Sequence, residues 1–358
     1  RTVLRGDPTR ENAQLLLGKA HILARESNLA IEALQKLIDT HPENVAGRKD
    51  LARLMFQSGR WEDVRGLLQV GIEQQPQDLT LARMYVDTLM RLEDWSAAEV
   101  EADRILELDP TKALGHYVKA RVSQSRGDYE ESINHFRVAL DLNPSAVETL
   151  TGLVRSYVRS ENTEGAQSFL EGFVAENPNS AQGLTLLGEM QARAGDVESA
   201  IENSEKALAI QEGWLPAYRN LIGIHLRAQD LEAANGVIDR GLAIAPENTE
   251  LMLLRANILE RTGRYSEAIE IYGNELEKNP NMDVAINNYV ALIADHQTDT
   301  DSLRSALRYG QRFENTQNPI FQDTLGWLYY RMDDLDEALP LLEAAVARAG
   351  QLPQIRYH

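Results

Sequence analysis

The sequence predicts an all-α chain, a right-handed α-solenoid superhelix made by stacking one helical hairpin on the next. Three observations predict it. Pro8, Pro42, Pro76, Pro110, Pro144 and Pro178 are evenly spaced, and Pro246 and Pro280 continue the lattice beyond Glu212, which interrupts it. A second lattice, mostly alanine, has the same period: Ala30, Val64, Ala98, Ser132, Ala166, Ala200, Ala234 and Ala268. Between the markers, apolar residues recur at helical spacing, as in Leu150, Leu153, Val154 and Tyr157. Repetition at this period marks an array in which each unit buries its apolar face only against its neighbours.

The two lattices place repeat starts at Glu11, Val45, Leu79, Ala113, Val147, Ala181, Leu215, Thr249, Asp283 and Pro319, so ten repeats fill residues 11–352 as one solenoid. Within each, an amphipathic run, a polar turn and a second amphipathic run read as two helices. Gly59, Gly127, Gly195 and Gly263 fit the stop of a first helix, and among the first eight repeats only even ones have this glycine. Asn-Pro and Asp-Pro pairs end the second helix. Trp61, Trp95, Tyr129 and Tyr265 stand just past the turn and read as staples between the helices.

The ninth repeat departs from the pattern. Ala306 comes four positions late after Ala268, and Ala338 two positions early after Ala306, which predicts a longer inter-helix turn near 295–301. That turn bunches Asp295, His296, Asp299 and Asp301; it reads as a solvated loop with Asp301 capping a helix, because no glycine-containing calcium-loop pattern accompanies it. Residues 1–10 read as the end of a preceding repeat and 353–358 as the start of a following one, so a piece of a longer array is expected.

Composition narrows the function. With 43% hydrophobic and 25% charged residues the chain reads as a folded globular type, and no apolar run is long enough to span a membrane, so no membrane insertion is expected. It has no cysteine, hence no disulfide, thiolate metal site or thiol nucleophile. Against 55 acids stand 36 bases, and a net charge of -19 argues against nucleic acid as a partner. The seven histidines show no metal spacing on one helix face, and no phosphate loop or nucleophile elbow occurs, so neither an enzyme nor a bound cofactor or metal is expected. His21 and His225 face the partner helix and read as packed side chains. The Glu130-Glu131 and Asp333-Asp334 pairs read as lying in the turn before a second helix, where they complement the helix dipole.

At these spacings the chain resembles the tetratricopeptide-repeat superfamily. Counting from each repeat start, that family has a small residue at position 8, alanine at 20, a small residue at 27 and proline at 32. Gly188, Ala200 and Ala207 supply the first three in the sixth repeat, where Glu212 replaces the proline. The resemblance implies a concave inner wall lined by positions 2, 5, 9, 12 and 13 of the first helices, where ligands bind. The clamp with which chaperone-binding members hold a C-terminal carboxylate is absent, because Lys49 is followed by Arg53, Met84, Leu114 and Val118.

Positions 5, 9 and 13 carry opposite charge to the chain as a whole. Lys49, Arg53, Arg83, Arg121, Arg155, Arg159, Arg193, Arg219, Arg227 and Arg261 stand there and are the candidate groove residues. Those at position 13 also suit the C-terminal dipole of a helix, whereas Lys49, Arg53, Arg83, Arg121, Arg155 and Arg219 sit too early for that. A cationic wall in an acidic protein predicts a non-enzymatic scaffold that binds an extended anionic partner, either an acidic protein segment or an acidic polysaccharide. The alternative is a structural spacer that binds through its convex face or edges. The stretch from Phe321 to Tyr330, with Pro353-Gln354-Ile355-Arg356-Tyr357-His358, is similar to long bacterial repeat proteins of cell-envelope and exopolysaccharide export systems, including those encoded with PEP-CTERM sorting systems. That resemblance implies a periplasmic or outer-membrane-associated setting.

Overall fold

A computed structural model describes residues 10–352 and Ile355. Apart from Arg10 and Ile355, the expected partial repeats at 1–10 and 353–358 lie outside the described residues. The fold class is the expected one: the chain is 80% helical, an α-solenoid of hairpins with no strand among the described residues. It divides into two compact units, one up to Met190 and one from Gln191 onward.

The first unit holds five hairpins. They are α1 (Glu11–Leu23) with α2 (Ser27–Thr40), α3 (Val45–Gln57) with α4 (Trp61–Gln74), α5 (Leu79–Arg91) with α6 (Trp95–Leu108), α7 (Ala113–Arg126) with α8 (Tyr129–Leu142), and α9 (Val147–Arg159) with α10 (Thr163–Glu176). Helix α11 (Ala181–Ala194) crosses the division. The second unit continues with α12 (Val197–Ile210), α13 (Leu215–Arg227) with α14 (Leu231–Ile244), α15 (Thr249–Arg261) with α16 (Tyr265–Lys278), α17 (Asp283–His296) with α18 (Thr300–Gly310), and α19 (Pro319–Arg331) with α20 (Leu335–Ala349). Every first helix starts at the residue set by the two lattices.

Side-chain caps explain many of these starts. Asn44 accepts from the Gly47 amide at 2.6 Å, Asp78 from Thr80 and Leu81, and Asp94 and Asp230 open second helices in the same way. Each satisfies an amide that the helix leaves unpaired. The first-helix stop is more regular than the glycines suggest. Gly59, Gly127, Gly195 and Gly263 have positive φ, and so do Arg25, Glu93, Glu161, Gln229 and Asp333 at the same place in other hairpins. Around Glu93, its amide donates to the Met90 carbonyl and the Asp94 amide to Leu89; Gly59 and Arg60 donate to Phe56 and Met55 identically. The backbone therefore does not alternate between odd and even repeats; only the residue type does.

The ninth hairpin corrects a sequence expectation. Helix α17 ends at His296 and α18 starts at Thr300, so the turn has the same three residues as the turn between α15 and α16. The added length lies elsewhere: α17 is one residue longer than α15, and α18 passes into a 3-10 turn at Gln311–Phe313 before a longer connection to Pro319. Leu303, not Ala306, is the fourth residue of the second helix, and Ala306 packs one turn later, which misled the count. Asp299 is the cap, accepting from the Ser302 amide at 2.8 Å, while Asp301 sits inside the first turn. This hairpin also lacks a left-handed stop, since Gln297 has φ -112.

The alanine lattice marks the tightest packing: Ala30, Ala98, Ala166, Ala200, Ala234 and Ala268 have no exposed surface. A side chain at Gly152 would stand 2.5 Å from the Phe136 ring, so its absence lets α9 close on α8. Within each unit, hairpins pack helix on helix in sequence order, as α3 does on α2 and α4, and in the first unit α1 also touches α3, α5 touches α7 and α7 touches α9. First helices thus form a shared layer, which is the wall that positions the groove.

Candidate ligand-binding groove

In the first unit, two adjoining cavities open along that wall. One, of about 560 Å³, lies over α3 and α5 and is lined by Arg53, Phe56, Leu79, Arg83, Met84 and Leu114, among others. The next, of about 520 Å³, shares Phe56, Arg83 and Asp87 and adds Met90, Tyr117, Arg121 and Glu148. Because lining residues are shared, they make one trough running from α3 to the start of α9. Its floor is apolar and its walls carry arginines and carboxylates.

The structure sorts the ten candidate cations into two groups. Lys49 is bonded to Asp78, the cap of α5; burial works against the Asp78 charge, but that ammonium and the Leu81 and Thr80 amides hold its carboxyl below the usual range. Arg53 lies 3.1 Å from Asp50 and Arg83 3.9 Å from Asp87. Arg121 donates to Asp87 at 2.5 Å and lies over the Tyr117 ring; burial disfavours its charge, but the Asp87 carboxylate more than offsets this and raises its pKa. In the second unit Arg219 pairs with Glu250 at 3.3 Å. Arg193 is also engaged in an interaction. Among the described residues, Arg155, Arg159, Arg227 and Arg261 are exposed and make no ion pair. Part of the basic ridge is therefore internal charge balance, and part remains available.

Reading charge alone missed the trough floor. Phe56 and Met90 occupy position 12, on the same inner face as the arginines, so the face was legible but its apolar members were not read. His21 is buried and its Nδ1 lies 2.5 Å from Glu26, as expected of a packed histidine; His225 is half-buried. Trp61 opens α4 and donates to the Phe56 carbonyl at 3.3 Å, tying the two helices. The turn with Asp295 and Asp299 is committed to structure: Asp295 accepts from the Trp327 indole at 2.8 Å, and His296 stacks on Tyr265 at 3.6 Å.

Models described as tetratricopeptide repeat match residues 24–84 and 124–190, 85–147 and 224–283, and 322–352. The chain belongs to the tetratricopeptide-repeat family. This is a class of scaffold that binds other proteins. Relatives are distant. Cellulose synthase operon protein C of Pseudomonas fluorescens is 23% identical over 338 residues, covering 88% of this chain and 26% of that protein. Anaphase-promoting complex subunit 3 of Schizosaccharomyces pombe is 20% identical over 239 residues, 67% of this chain and 36% of that one. The chain thus spans roughly a third of the length of such tetratricopeptide-repeat relatives. MamA from Desulfovibrio magneticus aligns with a TM-score of 0.42 at 11% identity, covering 48% of this chain and 96% of that structure. Among the described residues, no helix is long and apolar enough to cross a membrane.

Proposed function

We propose that the inner wall of the first unit binds an extended acidic peptide segment of another protein, with an apolar side chain seated in the trough. The observation that carries this reading is the pairing of an apolar floor (Phe56, Leu79, Met84, Leu114) with flanking Arg53 and Arg83 in one cavity. An acidic polysaccharide would use the arginines and leave the floor uncovered; a peptide alternating carboxylate and aliphatic or aromatic side chains uses both. Helix α9 supplies Glu148 to the trough and carries the unpaired Arg155 and Arg159, which extend the cationic stretch. Successive repeats offer similar geometry, so weak contacts add up along an extended ligand.

The setting we propose is a bacterial envelope or exopolysaccharide export assembly, in the periplasm or at the outer membrane. Its support is the long alignment with cellulose synthase operon protein C. An acidic polysaccharide is the second reading, favoured by that same relative. Fluorescence anisotropy separates the readings. A peptide of alternating Glu and Leu should bind more tightly than poly-Glu, than a polyuronate chain of matched charge and than a Lys-Leu control. Polyuronate binding equal to or tighter than that of the Glu-Leu peptide would favour the second reading, and no binding by any probe would leave a structural spacer.

A further inference from the structure

His116, the fourth residue of α7, and His135, the seventh of α8, meet with Nδ1 3.0 Å from Nδ1, ring centroids 5.2 Å apart and planes inclined by 35°. Both are half-buried. Packing does not require imidazoles here, because the fifth hairpin fills the corresponding positions, one repeat further on, with Leu150 and Phe169. We infer that His116 and His135 form a chelating site for a divalent transition ion such as Zn²⁺, which clamps α7 to α8.

The geometry lies close to what such an ion needs. Zinc to imidazole bonds of about 2.0–2.1 Å in a tetrahedral shell hold two nitrogens about 3.3 Å apart and their ring centroids about 5.2 Å apart. The rings are already at that centroid separation, so they need only turn about their centres. In the absence of the ion the same two atoms share a proton in an N–H···N bond.

The surroundings suit a cation. Glu131 stands one turn before His135 on α8, and its carboxylate accepts from the Ser123 hydroxyl at 2.9 Å. Solvent completes the shell around the two imidazole nitrogens. Glu99 and Asp103 of α6 hold the buried Lys119 at 3.2 and 2.6 Å, so this cation, which acts on His135, is already paired with carboxylates. Burial holds the pKa of both imidazoles below the ordinary histidine value; for His135, His116 and Lys119 add to this while Glu131 and Asp103 oppose it. At neutral pH both rings are therefore held neutral, and on ion binding the ring that donates in the N–H···N bond moves its proton from Nδ1 to Nε2, so that both Nδ1 lone pairs face the ion.

Zn²⁺ titrated into the chelator-treated chain tests the site, with Cu²⁺ as a paramagnetic probe. One equivalent should bind and raise the melting temperature, and EDTA should reverse the rise. His116→Gln and His135→Gln should each weaken Zn²⁺ binding about ten-fold or more, while Cu²⁺ resonance on the parent should show two coordinated nitrogens. His41→Gln is the control, because Glu11, His41 and Glu43 place ligand atoms within 4.8 Å of one another. No Zn²⁺ binding at roughly 100 µM ion, binding that survives both histidine substitutions, or binding lost in His41→Gln overturns the inference. Should the glutamine variants unfold without metal, the number of nitrogens on Cu²⁺ in the parent decides: two uphold the site and fewer sink it.

Discussion

Arg121 reaches back one whole repeat to Asp87, its guanidinium 2.5 Å from the carboxylate, and Arg83 approaches the same acid from within its own helix. One aspartate thus restrains two of the arginines that line the trough. Removing it tests whether these cations face a ligand. Asp87→Asn should tighten binding of a Glu-Leu peptide several-fold and make it more salt-sensitive, while costing at most about 1 kcal/mol of stability, since the pairs are partly exposed. Anisotropy at two salt concentrations and a denaturant melt measure both. Unchanged affinity would mean that Arg121 serves only to join α7 to α5 and Arg83 only to balance Asp87 within α5.

The left-handed stops provide a test of local strain. Glu93 and Glu161 occupy positive φ, where a side chain costs about 1 kcal/mol or more relative to glycine. Glu93→Gly and Glu161→Gly should each raise stability by about 0.5–1 kcal/mol, and Gly127→Ala should lower it by a similar amount. Denaturant unfolding that moves in the opposite direction for all three would contradict the shared stop.

Packing at the alanine lattice makes a third test. Ala268 has no exposed surface, so Ala268→Leu should overpack α15 against α16 and cost about 1–3 kcal/mol. A melting temperature equal to the parent's would contradict this close approach.

Acid should weaken the fourth hairpin in metal-free buffer. The pKa values of His116 and His135 are depressed by burial, so as pH falls below about 6.5 the unfolded chain takes up protons before the folded one does. The pair's contribution is thus complete above that pH and is lost as pH drops through the lower folded values. Stability measured from pH 7 to 5 should fall, and the fall should be shallower in the His116→Gln/His135→Gln double variant. Equal slopes would contradict the depressed values.

How much was legible follows from distance along the chain. Repeat starts were readable because proline and alanine mark the same backbone sites once in every repeat. The stop at Glu93 was not, because glycine signals left-handed backbone by its type whereas glutamate does not. In the ninth repeat, alanine identity was followed although Leu303 had taken the packed site. The cations were placed on the correct helices, but their partners stand far along the chain, Asp78 at the end of Lys49's own repeat and Asp87 and Glu250 in the repeats before Arg121 and after Arg219, and appear only after folding. His116 and His135 escaped for the same reason, lying on separate helices rather than on one face.

Charge reversal at α9 tests the central claim most directly. Arg155 and Arg159 are exposed and free of ion pairs, so Arg155→Glu/Arg159→Glu should leave helicity and melting close to the parent's. The measurement is the affinity of the Glu-Leu peptide for this variant, taken at low and at physiological salt. Loss of most of the binding, together with a parent affinity that falls as salt rises, is the predicted result. A variant that binds as tightly as the parent would contradict an anion-binding inner wall and leave these arginines without a ligand.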